Sequence, residues 1–260
     1  MTDAAAPTPK PVVRKIAWGD IHVALGEGWS DFRKAPSFGL FFSLVYVLGG
    51  VIIYLQLAVW GQIWWIIPVA LGFPVLGPFL AVGLYEVSRR IEAGEAIDWA
   101  SVLGVVYRQR DRQVPSMAVW AIMVFLAWMY LAHLIFALFF GLSAITQFDG
   151  SFAFILSTEG LMMTVIGTAV GAALSLALFS TTVIGLPLVL DREIDVISAM
   201  IASVSAVRDN PGPLIGWGVL AGAAMILAML PLFIGLFVVL PVLGHATWRL
   251  YRRVVVFPDS

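Results

Sequence analysis

The sequence predicts an all-α membrane protein: six transmembrane helices in three hairpins, each hairpin preceded by an amphipathic interfacial helix. Three observations predict it. The first is composition: 61% of the 260 residues are hydrophobic and 12% are charged, with mean hydropathy +0.97. Soluble domains carry about 25% charged residues, so lipid must cover part of this apolar surface. The second is a long apolar stretch rich in Pro and Gly, Pro68 to Arg90, that returns near the C-terminus as Pro231 to Arg253. An offset of 163 positions puts Pro68 on Pro231, Gly72 on Gly235, Pro78 on Pro241, Tyr85 on Trp248, Arg89 on Arg252 and Arg90 on Arg253. The third is a one-sided distribution of cations, described below.

The chain divides into a tail at 1–13 expected to be disordered, one membrane domain at 14–253 and a short tail at 254–260. The N-terminal residues are polar and Pro/Ala-rich, without the apolar core of a cleaved signal peptide. In Ile16 to Lys34, Trp18, Ile21, Leu25, Trp29 and Phe32 recur at helical spacing, as in a helix lying flat in the membrane interface. Phe38 to Val59 carries no charge; its 22 residues rise about 33 Å, enough to cross a hydrocarbon core of about 30 Å. Trp60, Trp64 and Trp65 mark a turn at headgroup level. The Pro68 stretch crosses back, and Glu86 is spaced to pair with Arg89 and Arg90.

Glu95 to Arg112 is a second interfacial helix, with Asp98 as N-cap, Trp99, Val102, Leu103 and Val106 on one face, and a basic end. Spans follow at 118–142 and 161–190, joined by a polar loop at 143–160. The second of these carries Gly167, Gly171 and Ser175, a row that permits close helix contact. Asp191 to Asn210 is the third amphipathic helix, with Ile197, Met200, Ile201, Val204 and Val207 on one face. The segment 214–250 is too long for one span, and Pro231 and Gly235 divide it in two. Asp20, Asp98 and Asp195 each open an amphipathic helix, and Pro36, Pro115 and Pro211 close them 16, 17 and 16 residues later. The chain therefore reads as three repeats, at about 16–90, 95–190 and 191–253.

This arrangement puts all 15 Lys and Arg residues on one side of the membrane, while only Asp149 and Glu159 of the 16 acids fall on the other. Cations in short loops stay cytoplasmic, so both termini are expected inside. Arg89, Arg90, Arg108, Arg110, Arg112, Arg192, Arg249, Arg252 and Arg253 form a candidate rim for anionic lipid or for other inner-membrane proteins. The net charge of −1 argues against a nucleic-acid partner, and the absence of cysteine excludes disulfides, thiolate metal sites and Cys nucleophiles.

No strong catalytic or phosphate-binding motif occurs, and neither a catalytic residue nor a metal site is assigned. His133 is the only ionisable side chain deep within a span, which makes it a candidate cofactor-binding or proton-relay residue; the plainer account is a neutral imidazole bonded to a neighbouring helix. No second histidine is visibly placed to complete a bis-His haem site, so no cofactor is expected. The acidic run Asp191 to Asp195 reads either as a cation site or as a helix start favoured by the dipole.

The phrases Leu186–Trp217, Leu240–Arg253 and Gly83–Glu95 resemble a family of predicted bacterial integral membrane proteins, domain-of-unknown-function (DUF) 2189. The resemblance runs over most of 16–253. It implies the bacterial inner membrane and carries no established activity or site residue. Three functions follow as expectations: a non-enzymatic accessory, assembly or scaffold protein acting through membrane contacts; a small permease or channel using Pro/Gly-broken helices 2 and 6; or a haem- or quinone-linked redox subunit using His133.

Overall fold

The computed structural model describes residues 11–60, 66–141, 156–192 and 194–257. The described residues are helical almost throughout. Its helices are α1 (Trp18–Lys34), α2 (Pro36–Tyr54), α3 (Ile66–Ala93), α4 (Trp99–Arg108), α5 (Val114–Phe140), α6 (Thr158–Thr182), α7 (Gly185–Asp191), α8 (Val196–Asp209), α9 (Pro211–Met229) and α10 (Leu236–Val254). The turn of tryptophans at 61–65, the residues 142–155 with Asp149, and Lys10 and Glu193 lie outside the described residues.

Among the described residues, four helices are long and apolar enough to cross a membrane: Pro36–Tyr54, Val114–Phe140, Thr158–Asp191 and Pro211–Met229. α3 and α10 also stand where the sequence puts spans, but α10 is 19 residues long and carries Arg249, Arg252 and Arg253 at its end. α3 runs unbroken through Pro68, Pro74 and Pro78, and Pro241 sits inside α10, so neither helix is interrupted at these prolines.

Two boundaries have local chemical causes. The fourth span divides at Val183–Ile184, into α6 and α7. Pro187 has no N–H to give the carbonyl of Val183, and its ring crowds that carbonyl; the Ile184 N–H is taken instead by Ser203 Oγ at 3.1 Å. Between α9 and α10, Leu232 and Phe233 adopt φ of 51° and 66°, a left-handed turn that non-glycine residues enter at a cost. Pro231 sits immediately before it.

The helix starts explain the Asp-x-x-Ser echo. Asp98 accepts from the Ser101 N–H at 2.9 Å, and Asp195 accepts from the Ser198 N–H at 2.9 Å; both are N-caps. Asp20 differs. It lies in the first turn of α1 and reaches back to the Ala17 N–H at 2.9 Å.

The chain forms two compact units, residues 1–118 with 180–260, and residues 119–179. In the first unit, Phe38, Phe42, Leu84, Val87 and Val102 join α2, α3 and α4 in one buried cluster. α1 lies along α10, with Gly28 so close that a Cβ there would meet Ala246 N at 2.6 Å. α3, α7 and α10 contact one another. Val12 and Val13 pair antiparallel with Val256 and Val255, so both expected tails hold β-branched residues that enter a two-stranded ribbon. In the second unit, α5 and α6 touch where the Trp128 ring covers Gly171. They leave an open groove of about 580 Å³ lined by Ile135, Phe136, Thr164 and Gly167 among others. Ser175 is exposed, so only part of the small-residue row makes helix contact.

The inward positions of the interfacial helices coincide only in part with the face that the large apolar residues mark. On α1 the buried positions are Ile21, Ala24, Gly28, Asp31 and Phe32, while Trp18 and Trp29 are exposed. On α8, Ala199, Ser203, Ala206 and Val207 are buried, while Ile197, Ile201 and Val204 are exposed. On α4, Val102 is buried, with Trp99, Leu103 and Tyr107 exposed. Small residues let helices approach closely. In lipid, large apolar side chains gain little by turning inward.

Candidate functional site

The polar groups of the first unit gather where α3, α7 and α10 meet, with α1 alongside. Glu86 is buried and is held by both of its downstream arginines: Arg89 Nε at 2.7 Å and Arg90 Nε at 2.7 Å. Arg89 also reaches Glu95 at 3.0 Å, and Arg90 donates to the Ala96 carbonyl at 2.9 Å. The pairing that the sequence spacing suggested is present and extends beyond it.

Long-range contacts complete the cluster. Asp31 of α1 is 1% exposed and accepts two bonds from Arg249, at 2.8 and 2.9 Å. This fork-to-fork geometry suits a buried pair. Glu92 accepts from Trp248 Nε1 at 3.1 Å and from Arg252 Nε at 3.0 Å. Tyr251 donates its hydroxyl to Asp191 at 2.7 Å, and Arg252 lies 3.5 Å from the same carboxylate. Arg253 bonds Glu27 at 2.7 Å and approaches Asp20 at 3.7 Å. Behind this layer, Ser88 Oγ and His245 Nδ1 are 2.8 Å apart, and both residues are fully buried. The repeat partners Tyr85 and Trp248 face each other at 6.3 Å between ring centroids.

The residues of the candidate rim differ in their surroundings. Arg89, Arg90, Arg249, Arg252 and Arg253 are engaged by carboxylates of the chain itself. Arg192 lies over the Phe257 ring at 4.3 Å and 3.7 Å from Asp191. Arg108, Arg110 and Arg112 sit on exposed surface at the end of α4, with Arg110 over the Tyr107 ring at 3.7 Å. His133 is exposed on α5, and its Nδ1 is 2.7 Å from the Met129 carbonyl of the preceding turn. This is a bond within its own helix and not to a neighbour. Among the described residues no group of three His, Asp or Glu side chains is arranged to hold a metal ion. In the acidic run, Asp195 caps α8 and Asp191 takes the Tyr251 hydroxyl.

The Asp98 and Asp195 carboxyls are both held below the usual aspartate range. The first cause is the hydroxyl of the serine three residues on; the serine's backbone N–H is the second.

Sequence reasoning missed Asp31–Arg249 and Ser88–His245. The signal for the first was Asp31 sharing a helix face with Ala24 and Gly28. No local pattern pointed to the second, whose partners lie 157 positions apart.

Residues 66–191 match the family model DUF2189, described as a predicted integral membrane protein. The DUF2189 match begins with α3, ends with α7 and so takes in the Glu86–Arg90 cluster, α4 and the second unit. It is narrower than the 16–253 over which the sequence phrases resemble the family. No curated protein and no solved structure matches the chain.

Proposed function

We propose that this is a six-span bacterial inner-membrane protein with both termini in the cytoplasm, which catalyses no reaction and acts through contacts. It serves as an accessory, assembly or scaffold component for other membrane proteins and their lipids. The observation that carries this reading is the outward placement of the large apolar side chains on α1, α4 and α8. Trp18, Trp99, Tyr107, Ile197 and Ile201 stand exposed, while Ala24, Gly28, Val102, Ala199 and Ala206 are buried. Such helices offer a wide apolar surface at interface depth.

The three-hairpin reading draws support from the packing order. α4 packs on α3, α8 packs on α7, and α1 packs on α10. Each interfacial helix therefore rests on the second arm of the hairpin before it, and the first rests on the last. The Val12–Val13 ribbon with Val255–Val256 stands where the chain itself makes the link in the other two cases. The rim charges, engaged with one another, support a fixed junction rather than a solute path.

Affinity purification of the full chain in mild detergent tests the proposal. A reproducible membrane-protein partner is expected. A clean monomer without one contradicts it, and solute flux in liposomes above the empty-vesicle rate would favour the permease reading instead.

A further inference from the structure

The middle of α5 carries two polar side chains on its outer surface. His133 is exposed, and its Nδ1 lies 2.7 Å from the Met129 carbonyl. A carbonyl can only accept, so Nδ1 carries the proton, and in a neutral ring Nε2 is left as an acceptor. Tyr130 is 70% exposed and stands three residues earlier, a neighbour on the same helix face. Among the described residues neither the Tyr130 hydroxyl nor His133 Nε2 has a hydrogen-bond partner. Polar groups turned toward hydrocarbon are costly, and inside a span they mark contacts that matter.

The two residues belong to a longer strip. Val119, Met123, Leu126, Tyr130 and His133 follow one another at spacings of 4, 3, 4 and 3 residues, and all five are exposed. This is the spacing at which two helices pack along a shallow left-handed crossing. α6 meets α5 elsewhere, where Trp128 covers Gly171.

We propose that this strip is a dimer interface. Two copies pair α5 to α5 about a two-fold axis along the membrane normal, and the Tyr130 hydroxyl of each protomer donates to His133 Nε2 of its partner. The strip's own donor and acceptor name the occupant. In a two-fold contact, residue i meeting j is matched by j meeting i, so one donor and one acceptor on the same strip satisfy each other twice. Three residues of helix rise about 4.5 Å, an offset that a tyrosine side chain spans. An acyl chain offers Nε2 no donor and the hydroxyl no acceptor. The inference rests on the membrane-spanning reading of α5 and goes beyond the proposed function by naming a second copy. A purification that finds no foreign partner leaves it standing.

The test uses single-cysteine forms of the full chain in native membranes. The chain has no cysteine of its own, so any disulfide product must join two chains. Met123→Cys and Leu126→Cys should give an oxidised dimer. Leu138→Cys, more exposed than Leu126 but about a quarter turn off the strip, and Val165→Cys on α6 should give several-fold less. In detergent, Tyr130→Phe and His133→Leu should each weaken association by about tenfold, because symmetry removes two interhelical bonds at once. The double variant should be no weaker than either single one, since both remove the same bonds. All four residues are on exposed surface, so their loss leaves the fold of the protomer intact. No dimer at any position, equal crosslinking at 126, 138 and 165, or association unchanged by both Tyr130→Phe and His133→Leu overturns the proposal.

Discussion

The two units solve the same problem with different means. In the first, α2 and α3 pack so closely that a Cβ on Gly83 would meet the Phe42 ring, and the helix ends are tied by ion pairs between segments as far apart as Asp31 and Arg249. In the second, α5 and α6 carry no ion pair among the described residues, and only 11% of the apolar stretch of α5 is buried within the protein. The difference teaches where specificity comes from in hydrocarbon. Apolar contact distinguishes a neighbouring helix poorly from lipid, so close-packed small residues and satisfied polar pairs must define the arrangement. The first unit has both; the second has chiefly Gly171 beneath Trp128.

This comparison makes graded predictions. The largest effect should come from Asp31→Ala, which leaves Arg249, 15% exposed, with the more distant Glu92 at 3.9 Å. Removing one partner of a buried pair costs about 3–5 kcal/mol, read as a lower unfolding midpoint in detergent. The double variant Asp31→Ala/Arg249→Met should recover most of that loss; no recovery would show that the pair's worth lies elsewhere. Gly28→Val should cost about 1–3 kcal/mol by forcing α1 off the Ala246 backbone. If it also frees α1 to proteolysis while the rest resists, the α1–α10 contact is the seam supposed here. Gly171→Ala in the second unit should change stability by less than about 1 kcal/mol; a loss as large as that of Gly28→Val would erase the contrast between the units.

The smallest effect concerns the two caps. Their folded pKa lies below the unfolded value of about 3.9, so their contribution is fully present above that pH and is lost as pH falls through the folded pKa. Asp98→Asn and Asp195→Asn should therefore be less stable than wild type near neutrality and converge with it in acid. A difference that persisted unchanged below the folded pKa would mean the caps act other than through the ionised carboxylate.

How much was legible in the sequence follows from the range of each interaction. Most helix positions, the prolines that follow the amphipathic segments, and Glu86 with Arg89 and Arg90 depend on residues within a few positions of one another and read correctly; the break at Val183–Ile184 inside the expected fourth span did not. Trp18, Trp29, Ile197 and Ile201 are exposed, as the interfacial reading of α1 and α8 expects; which residues turn inward was not read. A soluble protein would bury Trp18, Trp29, Ile197 and Ile201, whereas here Ala24, Gly28, Ala199 and Ser203 make the internal contact, because lipid removes the penalty on exposed apolar side chains. Asp31–Arg249 and Ser88–His245 join distant segments; only the first has a local trace, Asp31 on the face of Ala24 and Gly28. Which rim arginines tie distant segments together depends on those same long-range contacts, so the nine residues looked alike in sequence.

The central claim is that the charged junction and the basic helix ends lie on the cytoplasmic face while the 143–160 segment lies on the other. Because the chain has no cysteine, single substitutions can report sidedness without background. In intact cells a membrane-impermeant thiol reagent should label Asp149→Cys, and should label Arg110→Cys and Arg208→Cys only after permeabilisation. Labelling of all three from the same side would contradict the account.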